Sequence, residues 1–171
     1  MSNSILHRAY VALGSNLAQP EAQVNQAFDA LARLPDSHLV ARSSLYRSAP
    51  VGYADQPDFI NAVARIETRL APHDLLHSLL GIELECGRVR EFRNAPRTLD
   101  LDLLLYEDLQ FHEPGLTLPH PRMHLRRFVL QPLAEIAPEL IHPTLGQTVE
   151  QLLDSITDDS AVRIYREGRE P

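Results

Sequence analysis

Two segments of the sequence alternate apolar and polar residues with a period of two, and they constrain the fold more than any other feature. One covers residues 59–68 and the other residues 99–106. Successive side chains of a strand point to opposite faces of a sheet, so both segments are predicted to be strands with one face on a core. In the second strand, the leucines at 99, 101, 103 and 105 are predicted to face that core. The other face is then left to Asp100, Asp102, Leu104 and Tyr106.

The remaining elements follow from helical spacing and from turn residues. We predict a strand at 8–13, a helix at 20–35, a strand at 38–47 and a helix that begins at Pro72 and ends before Gly87. The resulting order, β-α-β-β-α-β, is typical of a ferredoxin-like α+β sandwich with an antiparallel sheet. Extra C-terminal helices are predicted near 130–136 and 149–153, and a short edge strand at 162–165.

Length and composition indicate one domain with a real core. The chain has 171 residues, of which 44% are hydrophobic, and we expect a single domain over 1–171 with its core at about 8–153 and a polar tail at 157–171. No apolar run approaches the roughly 20 residues of a membrane span, and the first residues do not form a signal-peptide pattern. A single cysteine, Cys86, suits a reducing compartment. We therefore expect a cytoplasmic protein.

The charged residues exclude several classes of function. A net charge of −7 argues against a general nucleic-acid binder. All 16 basic residues are arginines, so mechanisms that need a P-loop lysine or a Schiff-base lysine are excluded. Arginine suits bidentate phosphate binding, and seven arginines lie between residues 88 and 127. A phosphate-handling enzyme would have to use arginines and a metal ion.

Asp100 and Asp102 form the first candidate site. On one face of a strand their carboxylates lie roughly 6.5–7 Å apart. They repel each other unless a cation lies between them, and hard oxygen ligands suit magnesium. Four arginines precede the pair, at positions 88, 90, 93 and 97, as expected if a polyphosphate bridges both groups. A solvated strand, with the arginines paired to nearby glutamates, is the structural alternative.

Two further groups could contact substrates. His120 lies between two prolines in an arginine-containing loop, where it could reach a phosphate; metal ligation with His124 stays open, although no zinc-type spacing supports it. Phe59 and Asn61 share a strand face, so an aromatic ring lies beside an amide that can donate and accept. Such a pair could stack on a flat heterocycle and read its edge, or it could be ordinary sheet packing.

Six blocks of sequence occur together in a familiar order. The most specific is Pro-Arg-Thr-Leu-Asp-Leu-Asp at 96–102, and the others lie at 12–16, 44–52, 56–62, 83–90 and 118–123. Over about residues 9–145 the chain resembles the 6-hydroxymethyl-7,8-dihydropterin pyrophosphokinase family. The resemblance implies a ferredoxin-like fold and transfer of the diphosphate of ATP to the pterin hydroxymethyl group, with release of AMP, in folate biosynthesis.

The resemblance also implies a role for each matching residue. Two magnesium ions would be held by Asp100 and Asp102. The catalytic group would comprise these aspartates with Arg88 and Arg97. ATP would contact Glu83, Arg88, Arg97, His120 and Arg126. The pterin would contact Gly14, Ser48, Pro50, Val51, Phe59, Asn61 and Phe128.

Two alternative functions remain open on the sequence. One is another magnesium-dependent phosphoryl or nucleotidyl transferase that uses a heterocyclic acceptor. The other is a non-catalytic ferredoxin-like module that binds a ligand, although such a module gives no reason for the aspartate pair. We expect a monomer whose partners are small-molecule substrates, with no nucleic acid and no membrane.

Overall fold

Strands from both halves of the chain form one six-stranded antiparallel sheet in the computed structural model, which describes residues 5–16, 19–49, 57–86, 99–158 and 160–166. The elements of the first half are β1 His7–Ser15, α1 Pro20–Ala32, β2 Ser37–Arg42, β3 Tyr46–Ser48, β4 Phe59–Thr68 and α2 Pro72–Cys86. The elements of the second half are β5 Asp100–Tyr106, β6 Phe111–Glu113, β7 Leu116–Leu118, a 3-10 turn Met123–Leu125, α3 Arg127–Ile136, α4 Val149–Ser155 and β8 Val162–Ile164.

The strand order agrees with the predicted fold. It runs β5-β1-β4-β3-β8, and β2 pairs with β4 beside β3. The predicted strand at 38–47 is therefore two strands, because the chain leaves the ladder at Ser43 and Ser44. Ser43 donates its N–H to Val63 O and accepts from Val63 N–H through Oγ. The Ser44 N–H bonds to the Glu135 carboxylate of α3 instead of to a strand.

The sheet is buried on both faces, so the molecule has three layers. Helices α1 and α2 cover the first face, where Phe28, Leu75 and Leu79 pack on the sheet. Helices α3 and α4 cover the second face, where Leu130 and Leu133 are fully buried. This second core includes Tyr10, Val63 and Leu104 of the sheet. Gly14 and Asp100 lie on the same face and line a cavity.

The predicted orientation of Leu105 and Tyr106 is wrong. The pairing of β1 with β5 shifts register between Tyr10 and Val11, so that Leu103 lies opposite Val11 and Leu105 lies opposite Tyr10. This bulge adds one residue to β5 and reverses the alternation after it. Leu105 therefore packs in the second core, and Tyr106 packs in the first. Asp100 and Asp102 precede the bulge and keep the predicted face.

The C-terminal part adds a hairpin and two helices to the sandwich. Strands β6 and β7 form a separate two-stranded sheet that the sequence analysis did not predict. Helix α4 begins with a capping box in which Thr148 and Gln151 each accept a backbone N–H from the other. The predicted edge strand is present as β8, which pairs with β3. No helix in the described part of the chain is both long and apolar enough to cross a bilayer.

Candidate active site

A cavity of about 470 Å³ opens on the second face of the sheet, beside the first turn of α3. Its walls come from β1, β3, β4 and β5, from the start of α3 and from the C-terminal segment. It brings together eight of the residues that the sequence analysis selected: Gly14, Ser48, Phe59, Asn61, Asp100, Asp102, Arg126 and Phe128. Residues that are distant in sequence therefore form one site.

The floor of the cavity is a row of residues across three strands. Gly14 lies opposite Asn61 of β4 on one side and Asp100 of β5 on the other. An added Cβ at Gly14 would lie 3.3 Å from Asn61 Oδ1, which is closer than ordinary van der Waals contact. Because Gly14 has no side chain, the Asn61 amide of β4 can lie close to the backbone of β1.

The Asn61 amide is held in one orientation. Its Nδ2 donates to Ser48 Oγ at 2.6 Å, and both side chains are buried. Because the amide nitrogen is occupied by Ser48, Oδ1 lies on the side of Gly14, in a residue that lines the cavity. The site thus presents a fixed hydrogen-bond acceptor to a ligand.

Two aromatic side chains give the cavity its apolar walls. Phe59 at the start of β4 and Phe128 in the first turn of α3 both line it and are half-buried. The Arg126 guanidinium carbon lies 5.5 Å from the centroid of the Phe128 ring, a cation–π distance. Aromatic rings beside a fixed amide suit a flat, polar-edged heterocycle.

The two aspartates lie at one end of the cavity, and a buried carboxylate supports the backbone between them. Leu101 donates its N–H to Glu83 Oε2 at 2.7 Å, and Glu83 is only 4% exposed. Strand β5 lies at the edge of the sheet, and this bond gives the Leu101 N–H a partner on the side of β5 that faces away from β1. Glu83 does not line the cavity; it holds the strand segment that carries Asp100 and Asp102.

The aspartate pair fits a magnesium ion by its chemistry. Two carboxylates on one strand face line the same cavity, and Asp102 is exposed. Within the described residues, no group of three or more histidine, cysteine, aspartate or glutamate side chains could hold a metal ion. Magnesium is usually bound by one or two carboxylates, with substrate phosphates and waters as the other ligands. The pair is therefore suited to a cation that arrives with a phosphate.

A second cavity of about 360 Å³ lies on the other side of Asp102. Leu76 of α2, the β6–β7 hairpin and His120 line it, and Asp102 lines both cavities. His120 is held beside β5 because its N–H donates to Leu104 O at 2.9 Å. Asp102 is thus common to two cavities, each of a size that can hold a small ligand.

His120 presents a neutral imidazole to this second cavity. Burial lowers the pKa of His120 below its usual 6.5; the Asp102 charge opposes the shift, and the charges of Arg126 and Arg122 add to it. Its Nδ1 accepts the N–H of Arg122 at 3.1 Å. The proton of the neutral ring is therefore on Nε2, which can donate to an anionic ligand.

Comparison with known proteins decides the family. The model of the 7,8-dihydro-6-hydroxymethylpterin-pyrophosphokinase (HPPK) family matches residues 10–138. The chain belongs to this family. It is 54% identical over 149 residues to the 2-amino-4-hydroxy-6-hydroxymethyldihydropteridine pyrophosphokinase of Pseudomonas aeruginosa, covering 87% of this chain and 91% of the relative. The corresponding protein of Haemophilus influenzae is 47% identical, with 91% and 97% covered.

Solved structures support the fold. Wild-type HPPK-DHPS from Plasmodium falciparum with pteroate superposes with a TM-score of 0.70 at 14% identity, covering 87% of this chain and 42% of that one. A structure described as HPPK-DHPS in complex with substrates gives a TM-score of 0.72 at 13% identity, with 89% and 43% covered. The predicted fold, the predicted family and the pyrophosphokinase class are thus confirmed, and the non-catalytic alternative is wrong.

Four of the predicted HPPK site residues lie outside the described residues: Arg88, Arg97, Pro50 and Val51. Asp158 is the charged residue of this cavity that was not predicted. It lies in the polar C-terminal tail, where neither spacing nor a motif distinguishes it from the other acidic residues. Its contact with Arg127, 31 positions away in sequence, joins it to the site.

Proposed function

We propose that this HPPK family member transfers the diphosphate of ATP to the hydroxymethyl oxygen of 6-hydroxymethyl-7,8-dihydropterin and releases AMP, as a step of folate biosynthesis. Family membership and the names of its relatives support this activity. The single observation that carries the site assignment is that Asp102 lines both cavities. An acceptor in one space and ATP in the other would meet at this carboxylate.

The pterin is assigned to the larger cavity. Its fused ring is flat, and Phe59 and Phe128 offer apolar faces on which it can stack. The Asn61 Oδ1 can accept from a ring N–H or from the amino group, and Ser48 keeps that amide from rotating. Such fixed polar groups in an apolar pocket usually determine which ligand edge is accepted.

ATP is assigned to the second cavity, with its phosphates directed to Asp102. The backbone of the β6–β7 hairpin and the side chain of Leu76 can enclose the nucleoside. His120 Nε2 and the Arg126 guanidinium are donors on the side of the phosphates. The predicted phosphate contacts of Arg88 and Arg97 would complete this side. The predicted ATP contact of Glu83 stays a prediction, beside the bond that Glu83 accepts from Leu101 of β5.

Catalysis then depends on positioning and charge neutralisation. The hydroxymethyl oxygen attacks the β-phosphorus of ATP and loses its proton to solvent. The bond from that phosphorus to the α-phosphate oxygen breaks with its electron pair on that oxygen, which releases AMP. In-line placement of the two ligands supplies much of the rate, because the bound pair reacts as one molecule. Asp100 and Asp102 would hold the two predicted magnesium ions, which supply neutralisation of phosphate charge.

Replacement of Asp102 tests this assignment. Asp102→Asn keeps the shape of the side chain and removes the charge, so we expect kcat to fall by at least about 100-fold, as when a key stabilising group of an active site is lost. Because Asp102 is exposed, the melting temperature should not decrease. Asp108→Asn, in the exposed turn after β5, is the matched control and should retain activity. Full turnover by Asp102→Asn with magnesium would contradict the metal assignment.

The finer predictions from the sequence stay predictions. They are a monomeric state, a cytoplasmic location, two bound magnesium ions, and partners limited to small-molecule substrates without nucleic acid or membrane. Sedimentation of the purified protein with and without substrates checks the first of them. A dimer at the concentrations used in assays would contradict it.

A further inference from the structure

We propose that Asp158 is a positioning residue for the pterin side of the site, which it serves through the first turn of α3. This inference rests on the proposed function. It concerns the C-terminal segment, defined as residues 156–158 and 160–166, which the family model does not cover. That segment bonds to the two elements that form opposite walls of the larger cavity.

The first turn of α3 takes its cap from this segment. The first N–H groups of a helix have no partner inside the helix, and Arg126 at the N-cap position makes no side-chain cap. Asp158 Oδ2 accepts the Arg127 N–H at 3.1 Å, and the Arg127 Nε donates to Asp158 O at 3.0 Å. A carboxylate at a helix N-terminus is also favoured by the helix dipole. Asp158 therefore caps α3 from a distant part of the chain.

The second carboxylate oxygen of Asp158 is bonded to Ser160, which holds the Asp158 side chain in place. Its Oδ1 accepts from the Ser160 N–H at 2.9 Å and from the Ser160 hydroxyl at 2.6 Å. Burial alone would raise the pKa of Asp158, but the hydrogen bonds from Ser160 and Arg127, with the Arg127 charge, lower it. The carboxylate thus remains ionised, which the capping contact requires.

The same segment continues to the opposite wall. Strand β8 pairs with β3, and Val162 lies opposite Ser48. Gln131 of α3 donates its Nε2 to Val162 O at 3.1 Å. Ser48 in turn orients the Asn61 amide. One short segment is therefore bonded to the helix that carries Phe128 and to the strand that carries Ser48.

The contacts predict an effect on one substrate and not on the other. Phe128 is the second residue of α3, so loosening of the first turn displaces its ring from the pterin cavity. The ATP cavity contains no residue of the C-terminal segment. Loss of the cap should weaken pterin binding and leave ATP binding unchanged.

Asp158→Ala and Asp158→Asn in the full chain test this inference. The intrinsic fluorescence of 6-hydroxymethylpterin reports pterin binding, and a non-hydrolysable ATP analogue with magnesium reports nucleotide binding. For Asp158→Ala we expect pterin Kd and KM to rise about fivefold, as when the ~1 kcal/mol that a lost cap costs the helix is carried over to pterin binding, with kcat and analogue Kd within twofold. Asp158→Asn should recover only part of the affinity, because its single amide oxygen can accept the Arg127 N–H while its NH2 group then faces the Ser160 N–H.

Two further variants provide the controls. Ser160→Ala removes the hydroxyl bond to Asp158 Oδ1 but keeps the backbone one, so pterin Kd should shift in the same direction by a smaller factor. The exposed Asp154→Ala of α4 should change nothing. An unchanged pterin Kd in Asp158→Ala would overturn the inference, and so would equal losses of pterin and nucleotide binding. Failure of the unaltered protein to bind pterin would instead overturn the proposed function, and this inference with it.

Discussion

At the scale of single residues, the absence of a side chain at Gly14 matters as much as the side chains around it. Gly14 lies between Asn61 and Asp100 in the sheet, and a Cβ there would crowd Asn61 Oδ1 at 3.3 Å. Asn61 cannot retreat freely, because its Nδ2 is bonded to the buried Ser48 hydroxyl. A methyl group at position 14 should therefore displace the acceptor assigned to the pterin.

We expect Gly14→Ala to raise the pterin KM by roughly three- to tenfold, the cost of about one weakened hydrogen bond. The ATP KM should stay constant, since Gly14 lines only the larger cavity. Steady-state kinetics with each substrate varied in turn measures both constants. A Gly14→Ala enzyme with an unaltered pterin KM would contradict the assigned role of Asn61.

Gly81→Ala is the matched control for that substitution. Gly81 lies inside α2, and an added Cβ there has no atom within 4 Å. Alanine has a higher helix propensity than glycine, by about 1 kcal/mol, so this variant should melt at a higher temperature with unchanged kinetics. The contrast separates crowding at the site from the general effect of adding a methyl group.

At the scale of elements, His142 organises the connection between α3 and α4. Its Nδ1 accepts the N–H groups of Thr144 and Leu145, and its ring is 4% exposed. Burial, with a smaller effect of the nearby His124, lowers the pKa of His142 below its usual 6.5. The turn therefore requires an unprotonated Nδ1.

This lowered pKa predicts loss of stability in acid. As the pH falls below 6.5, the unfolded chain takes up a proton at His142 more readily than the folded chain, so the free energy of unfolding decreases. His142→Asn keeps an acceptor and removes the titration, so its melting temperature should fall less between pH 7.5 and 5.5. His77→Asn, at an exposed position of α2, is the control. Equal acid sensitivity of the wild type and His142→Asn would contradict the prediction.

Sequence patterns predicted correctly those elements whose structure depends on local periodicity alone. Strand β4 and helix α2 match because a period of two and helical spacing are set by the backbone itself, although β4 is buried on both faces and not on one as predicted. The break between β2 and β3 depends instead on the Glu135 carboxylate of α3. The bulge in β5 depends on register with β1. The local sequence indicates neither the Ser44–Glu135 contact nor the register shift. The first divided one predicted strand into two, and the second reversed the orientation of Leu105 and Tyr106.

At the scale of the whole molecule, the sequence predicted the members of the site better than their arrangement. Asp100, Asp102, Phe59 and Asn61 were found because strand periodicity assigns each to a face. That Asp102 separates two cavities follows only from the position of the β6–β7 hairpin, which no pattern indicated. The contribution of Asp158 likewise depends on the return of the C-terminal segment to α3 and β3.

The most direct test of the central claim is the identity of the nucleotide product. Purified protein would be incubated with ATP, magnesium and 6-hydroxymethyl-7,8-dihydropterin, and the nucleotides would be separated and quantified over time. Diphosphate transfer across the two cavities predicts one AMP for each pterin diphosphate formed, and no nucleotide turnover without the pterin. Formation of ADP with a pterin monophosphate, or AMP production that does not depend on the pterin, would contradict it.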